Sequence, residues 1–245
     1  MIYLSVNVNK VALLRNTRDL GIPGVCEAAR VSLEAGAHGI TVHPRPDQRH
    51  IRPTDVDELA VLLKDYPGRE LNIEGNPFEG EYMTIVRRTR PNQATLVPDA
   101  PGARTSDHGW RIPENADRLR PVIQELQDLG CRVSLFVDAE PVANIPAAAD
   151  VGADRVELYT EPYARAFTTS DRDRVLGVFR TAAQQAHAVG LGVNAGHDLN
   201  QQNLTLFATV PYLAEVSIGH ALTAEALLGP GLRQTVINYL KILSP

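Results

Sequence analysis

The sequence predicts an α/β fold, a (β/α)8 TIM barrel formed by one domain over residues 1–245. Three observations predict it. Short apolar runs alternate with longer amphipathic runs, eight times in succession, and strict alternation gives a parallel sheet with crossover helices. The length fits, because 245 residues over eight units is about 31 each, roughly one βα unit. No linker or shift in composition divides the chain. An open doubly wound sheet is the competing arrangement. It would carry a G-x-G-x-x-G turn after its first strand, and none follows Tyr3–Val8.

Each element has a local reason. Tyr3–Val8 (YLSVNV) is β-branched and reads as strand one. Val25–Ala35 has helical periodicity, opened by Pro23 and closed by Gly36. Gly39–Val42 is strand two. Thr54–Asp65 reads as a helix with Thr54 as N-cap and Asp57 as the acidic partner of a capping box. Glu70–Ile73 is strand three, Glu79–Arg88 its helix and Ala94–Val97 strand four. A long polar loop, Pro98–Pro113, leads to a helix over Glu114–Leu129. Arg132–Val137 is strand five, followed by a helix over Val142–Val151, and Arg155–Tyr159 is strand six. Ser170 is the expected cap of a helix over Asp171–Val189. Leu191–Asn194 is strand seven, Gln201–Ala208 a short helix and Glu215–Ile218 strand eight. Ala221–Leu243 closes the chain, interrupted at Gly229-Pro230-Gly231.

Composition narrows the function. The chain is 44% hydrophobic and 22% charged with a net charge of -5, which excludes disorder as its dominant state. No apolar run reaches the ~18 residues needed to span a bilayer, and MIYLSVNVNK lacks a secretory pattern. Two cysteines, Cys26 and Cys131, exclude a disulfide framework and fit a reducing compartment. The mildly acidic balance gives no reason to expect nucleic acid as a partner, and the lack of a long apolar run gives none to expect a membrane. Of 24 basic residues only Lys10, Lys64 and Lys241 are lysine. Arginine forks suit carboxylate and phosphate, although a GC-rich coding sequence produces the same bias.

In such barrels the reactive rim is built from strand C-termini and the loops after them. Strand one is followed by Asn7, Asn9 and Lys10, then Arg15 and Arg18; strand two by His43, Arg45 and His50; strand three by Glu74. The loop after strand four holds Thr105, Asp107 and His108. Asp138 ends strand five, Glu157 lies within strand six, Gly196-His197 end strand seven and Gly219-His220 strand eight. Five of seven histidines (His43, His50, His108, His197 and His220) thus fall on one face. His43, Glu74 and His197 supply two imidazoles and a carboxylate for general acid and base work, and partial burial would raise Glu74 into a useful range. A salt bridge from Glu74 to a loop arginine is the competing reading. Gly196 and Gly219 occupy the usual phosphate position of this architecture, where backbone N–H groups approach an anion. Arg15, Arg18 and Arg45 provide for a second anionic group. No close His/Cys/Asp triplet has ligand spacing, so no metal is expected.

Several segments together resemble the pyridoxine 5′-phosphate synthase family. They are Val6-Asn7-Val8-Asn9-Lys10 with Leu14-Arg15-Asn16, Gly39-Ile40-Thr41-Val42-His43 with Arg45 and Arg49-His50-Ile51, and Leu71-Asn72-Ile73-Glu74. Val193-Asn194-Ala195-Gly196-His197 and Ile218-Gly219-His220-Ala221 complete the set, which runs from strand one to strand eight. The resemblance implies condensation of 3-amino-2-oxopropyl phosphate with 1-deoxy-D-xylulose 5-phosphate to pyridoxine 5′-phosphate, phosphate and water. It implies cytoplasmic barrels assembled as homo-octamers, small phosphorylated substrates as partners, and no redox cofactor or metal. Carried over by motif, His43 is a general acid/base, Glu74 a second base and His197 the proton donor. Asn7 and Arg18 hold the amino-ketone. Arg45, His50 and Thr105 bind the deoxyxylulose phosphate, and the backbone at Gly219 and His220 holds a phosphate. Glu157 matches an acidic position inside the barrel. The chain departs from the pattern where many members read Asn-x-Asp-His and Gly-His-Gly: here stand Asn7-Val8-Asn9-Lys10 and Gly196-His197-Asp198. Lys10 and Asp198 are therefore candidate rather than assigned site residues.

The residues alone leave other readings open. Lys10 past a strand end suits a Schiff-base aldolase acting on a sugar phosphate. His43, Glu74 and His197 as metal ligands would suit a sugar-phosphate epimerase. A phosphate-binding barrel without activity is a third.

Overall fold

A computed structural model describes residues 1–244. Eight strands, β1 (Tyr3–Asn7), β2 (Gly39–Val42), β3 (Glu70–Gly75), β4 (Gln93–Leu96), β5 (Arg132–Val137), β6 (Arg155–Tyr159), β7 (Gly192–Gly196) and β8 (Leu213–Ile218), pair in chain order, all parallel. β8 returns to β1, with Leu4 opposite Val216, so the sheet closes and leaves no edge. The helices are α1 (Asn9–Arg15), α2 (Val25–Glu34), α3 (Pro53–Leu62), α4 (Tyr82–Thr89), α5 (Ile112–Asp128) and α6 (Asn144–Asp150). They continue with α7 (Glu161–Ala166), α8 (Arg172–Ala188), α9 (Gln201–Phe207), α10 (His220–Leu228) and α11 (Leu232–Leu243). Among the described residues no helix is long and apolar enough to cross a membrane.

The predicted barrel is the observed one, and most differences are local. α1 and α7 have no counterpart in the sequence reading, because two turns are too short to display a helical period. The cap of α3 lies two residues earlier than Thr54 and Asp57 suggest. Pro53 takes the first helical position, where its fixed φ is favourable, so Asp55 accepts from the Arg52 amide at 2.7 Å. Asp57 instead pairs with Arg88 of α4 at 2.8 Å. α8 is capped at Asp171, not Ser170.

Strand alternation explains the barrel's interior. Leu4, Val6, Ile40, Val42, Leu71, Ile73, Val133, Leu135, Val156, Leu158, Val216 and Ile218 are buried against the helix ring and form one continuous core with it. Their odd-numbered or even-numbered neighbours face inward and are polar. Ser5, Thr41, Asn72 and Thr95 form a hydrogen-bonded arc across four strands, with Ser5–Thr41 at 2.6 Å and Thr95–Asn72 at 2.9 Å. Lower down, Gln93 bridges the barrel to Glu215 and Asn194. Arg132 and Arg155 close this layer on Glu70 and Glu215. Buried polar groups need partners, and this interior supplies them from strand to strand. It is a polar floor beneath the rim.

Candidate active site

A cavity of about 500 Å³ opens at the C-terminal rim. It gathers nearly every predicted site residue from seven places in the chain: Asn7 and Lys10, His43 with Arg45 and His50, Glu74, Thr105, Glu157, His197 with Asp198, and Gly219 with His220. Arg18 does not line it. Residues 9–15 coil into α1, which carries Arg18 out to an exposed turn. Arg15 turns away as well, into a buried ion pair with Asp55. His108 is also outside, exposed beside Asp107. The cluster on the rim is thus four histidines rather than five.

His43 stands between two carboxylates. Its Nδ1 lies 3.6 Å from Glu74 Oε2 and its Nε2 lies 3.9 Å from Asp99 Oδ2. Its amide donates to Asn9 Oδ1 at 2.9 Å, and the Asn9 amide donates to Asn7 Oδ1 at 3.0 Å. The Asn7 and Asn9 side chains therefore brace β1 against the loop after β2, and Asn7 Nδ2 reaches Glu74 at 3.5 Å. Burial and the neighbouring Arg45 push His43 down to about 3, so it is a neutral imidazole. His50 is likewise pushed to about 3, by burial and the nearby cations, and its Nδ1 accepts from the Ile51 amide at 2.9 Å. That bond leaves Nε2 as the proton-bearing nitrogen facing the cavity side.

The carboxylates move the opposite way. Burial raises Glu74 to about 7, with Asp99 adding and Arg45 opposing. Burial, with Glu74 and Glu215 nearby, pushes Glu157 far above the usual carboxylate range, toward the neutral acid that can donate a hydrogen bond. Glu74 is thus the group poised to exchange protons at neutral pH, and Glu157 supplies a neutral donor beside it. Among the described residues no arginine pairs with Glu74: Arg45 pairs with Asp99 instead, at 2.7 Å.

His197 is held in a strained loop. It and Asp198 both adopt positive φ, +81° and +56°, although neither is glycine. The Thr160 hydroxyl, fully buried, donates to the Gly196 and His197 carbonyls, and Asn203 Nδ2 donates to the Asp198 carbonyl at 3.0 Å. The imidazole packs on Phe136 and Tyr159, with ring centroids 5.0 and 5.4 Å away. Burial lowers its proton affinity while Glu74 and Asp198 raise it.

The two glycines are explained by close approach. A methyl group at Gly196 would run into Glu157 Oε1, and one at Gly219 would stand 2.9 Å from Asn7 Cβ. Gly219 also precedes α10, whose first intrahelical bond is Thr223 N to Gly219 O. The amides of His220, Ala221 and Leu222 consequently have no partner inside the helix and can cradle an anion. Among the described residues no three His, Cys, Asp or Glu side chains converge to hold a metal ion.

Sequence reasoning missed Asp99, Thr160 and Asn203. Asp99 follows β4 by three residues and was legible by the same strand-end rule that found Glu74. Thr160 and Asn203 act through backbone carbonyls, which no side-chain pattern reveals.

Residues 4–245 match the family model described as pyridoxal phosphate biosynthesis protein PdxJ. The chain belongs to the PdxJ family. Among PdxJ relatives, the pyridoxine 5′-phosphate synthase of Albidiferax ferrireducens is 56% identical, covering 98% of this chain and 97% of its own. That of Xanthomonas axonopodis pv. citri is 54% identical, over 98% and 96%. The solved 3-keto-L-gulonate-6-phosphate decarboxylase of Vibrio cholerae shares the PdxJ barrel at a TM-score of 0.65, covering 99% of this chain and 97% of that one; at 12% identity it speaks for the fold alone.

Proposed function

We propose that this chain is a pyridoxine 5′-phosphate synthase, condensing 3-amino-2-oxopropyl phosphate with 1-deoxy-D-xylulose 5-phosphate and releasing phosphate and water. One observation carries the reading: a carboxylate near neutrality, a protonated carboxylic acid and two neutral imidazoles share a cavity with the free amides of α10. The reaction needs an amine to add to a ketone, water and phosphate to leave, and a ring to close. Every step moves a proton and none transfers hydride. Each positioned acid or base contributes about 10²- to 10⁴-fold.

In this reading Glu74 and His43 exchange protons with the substrates and His197 donates one to a leaving oxygen. Arg45, His50 and Thr105 hold the deoxyxylulose phosphate, while Asn7 and the α10 amides hold the amino-ketone phosphate. Lys10 and Asp198 contribute to the wall. The loop from Pro98 to Arg111 carries Thr105 and closes over the bound phosphates, shielding intermediates from water. We also propose a cytoplasmic homo-octamer, which light scattering of the pure protein would check.

The test is direct. Pure protein mixed with both phosphates should yield pyridoxine 5′-phosphate by absorbance and mass. Binding of both substrates without product would overturn the reading. Lys10 lines the cavity, so borohydride trapping of a substrate on Lys10 would favour a Schiff-base aldolase instead.

A further inference from the structure

Asp99 lies behind the reactive groups rather than among them. It follows β4, is buried, and meets the cavity through Arg45, His43 and Ser106, which line it. Its Oδ2 carries three contacts: Arg45 Nη2 at 2.7 Å, Ser106 Oγ at 2.7 Å and His43 Nε2 at 3.9 Å. Its Oδ1 is fully buried and has no hydrogen-bond partner among the described residues. A buried carboxylate oxygen without a donor is costly, so this carboxylate has an acceptor to offer a further donor. Arg45 is its counterion and also lines the cavity. The guanidinium therefore has two possible anions, Asp99 behind it and a phosphate in front.

We propose that Asp99 is a positioning carboxylate that passes from Arg45 to His43 when a phosphate monoester occupies the cavity. The proposal rests on the reading of Arg45 as a phosphate ligand. The phosphate draws the guanidinium forward. Asp99 then accepts a hydrogen bond from His43 Nε2–H, which lies 3.9 Å from its Oδ2. No covalent bond changes; one ion pair is exchanged for another and a charge-assisted hydrogen bond is gained. The imidazole is fixed in the Nε2–H tautomer, which leaves the Nδ1 lone pair on the Glu74 side. The base gains strength only when substrate is present, because Arg45 moves away and Asp99 moves in. Other groups facing His43 are Arg49 and His50 from its own loop, Glu74 from β3 and His197 from β7. None of these changes partner in the exchange.

The test uses Asp99→Asn, with Asp99→Ser as a second uncharged variant and Asp99→Glu as the conservative one. In the intact protein, NMR of labelled histidine follows the His43 imidazole with and without saturating inorganic phosphate. Phosphate should raise its pKa in wild type by about one pH unit or more beyond the rise in either uncharged variant. Asp99→Glu should recover at least part of that difference. Equal rises in all proteins would overturn the proposal. Steady-state kinetics with both substrates gives a second readout. Asp99→Asn should lower kcat at least tenfold and shift its acid limb to lower pH, with the KM for deoxyxylulose phosphate unchanged or lower because Arg45 has lost its internal competitor. A KM that rises in step with the loss of kcat would mark a merely structural role and also overturn it. If wild type makes no product, the proposed reaction fails, while the imidazole titration still decides the exchange.

Discussion

Replacing Glu74 by glutamine should weaken catalysis and strengthen the fold, in amounts set by pH. The ordinary value of 4.5 is raised to about 7 by burial. Between those values the folded protein holds a proton that the unfolded chain has released, so stability falls as pH rises through this window. The full penalty, reached above pH 7, is about 3 kcal/mol. Below pH 4.5 both states are protonated and the penalty vanishes. Glutamine keeps the shape, carries no charge and escapes the penalty. The stability of Glu74→Gln relative to wild type should therefore improve by roughly 2 to 3 kcal/mol between pH 5 and pH 8. Urea unfolding of both proteins at the two pH values measures this. Turnover should fall about 10²- to 10⁴-fold. An unchanged stability difference at the two pH values would show that burial does not hold this carboxyl protonated, and the acid/base assignment would lose its basis.

Three further substitutions test the supports. Gly196→Ala drives a methyl into Glu157 Oε1, so turnover should fall by up to about 10²-fold with circular dichroism unchanged; a wild-type rate would remove Glu157 from the chemistry. Thr160→Val deletes the hydroxyl that holds the Gly196 and His197 carbonyls, and should cost about 1 to 3 kcal/mol and lower kcat, with Thr160→Ser restoring both; full activity in the valine protein would mean His197 keeps its strained backbone unaided. Arg15→Ala leaves Asp55 buried without its counterion, an expected loss of about 3 to 5 kcal/mol in thermal or urea unfolding; a loss under 1 kcal/mol would show that the Arg52 amide alone satisfies Asp55.

What the sequence disclosed follows from where side chains point. The strands were legible because their outward residues, such as Ile40-x-Val42 and Val133-x-Leu135, are aliphatic and β-branched. His43, Glu74 and His197 were legible because each ends a strand and projects straight into the mouth. Arg18 misled because a two-turn helix intervenes between it and β1, and so short a segment has no period to read. Asp99 was overlooked although it stands three residues past β4, because the reading of that loop stopped at its more distant polar residues, Thr105, Asp107 and His108. The caps of α3 and α8 slipped by one or two residues because proline and several adjacent acids offer competing starts. The polar barrel floor of Thr41, Asn72, Gln93, Asn194 and Glu215 went unread, because only the closed geometry brings these side chains from separate strands into bonding distance.

The end of α1 is fastened to the loop after β2 at several points. Asn16 donates to the carbonyls of Arg49 and His50 at 3.1 and 2.8 Å, and Arg15 donates to His50 at 3.2 Å. The first two loops are thus tied into one frame, and Arg49 of that frame donates to the Ala103 carbonyl at 3.0 Å, so the segment beyond β4 is latched to it as well. The proposed closing leaf would have to swing on this latch: insertions in it should alter residence time, whereas the same insertions in the frame should warp the doorway itself.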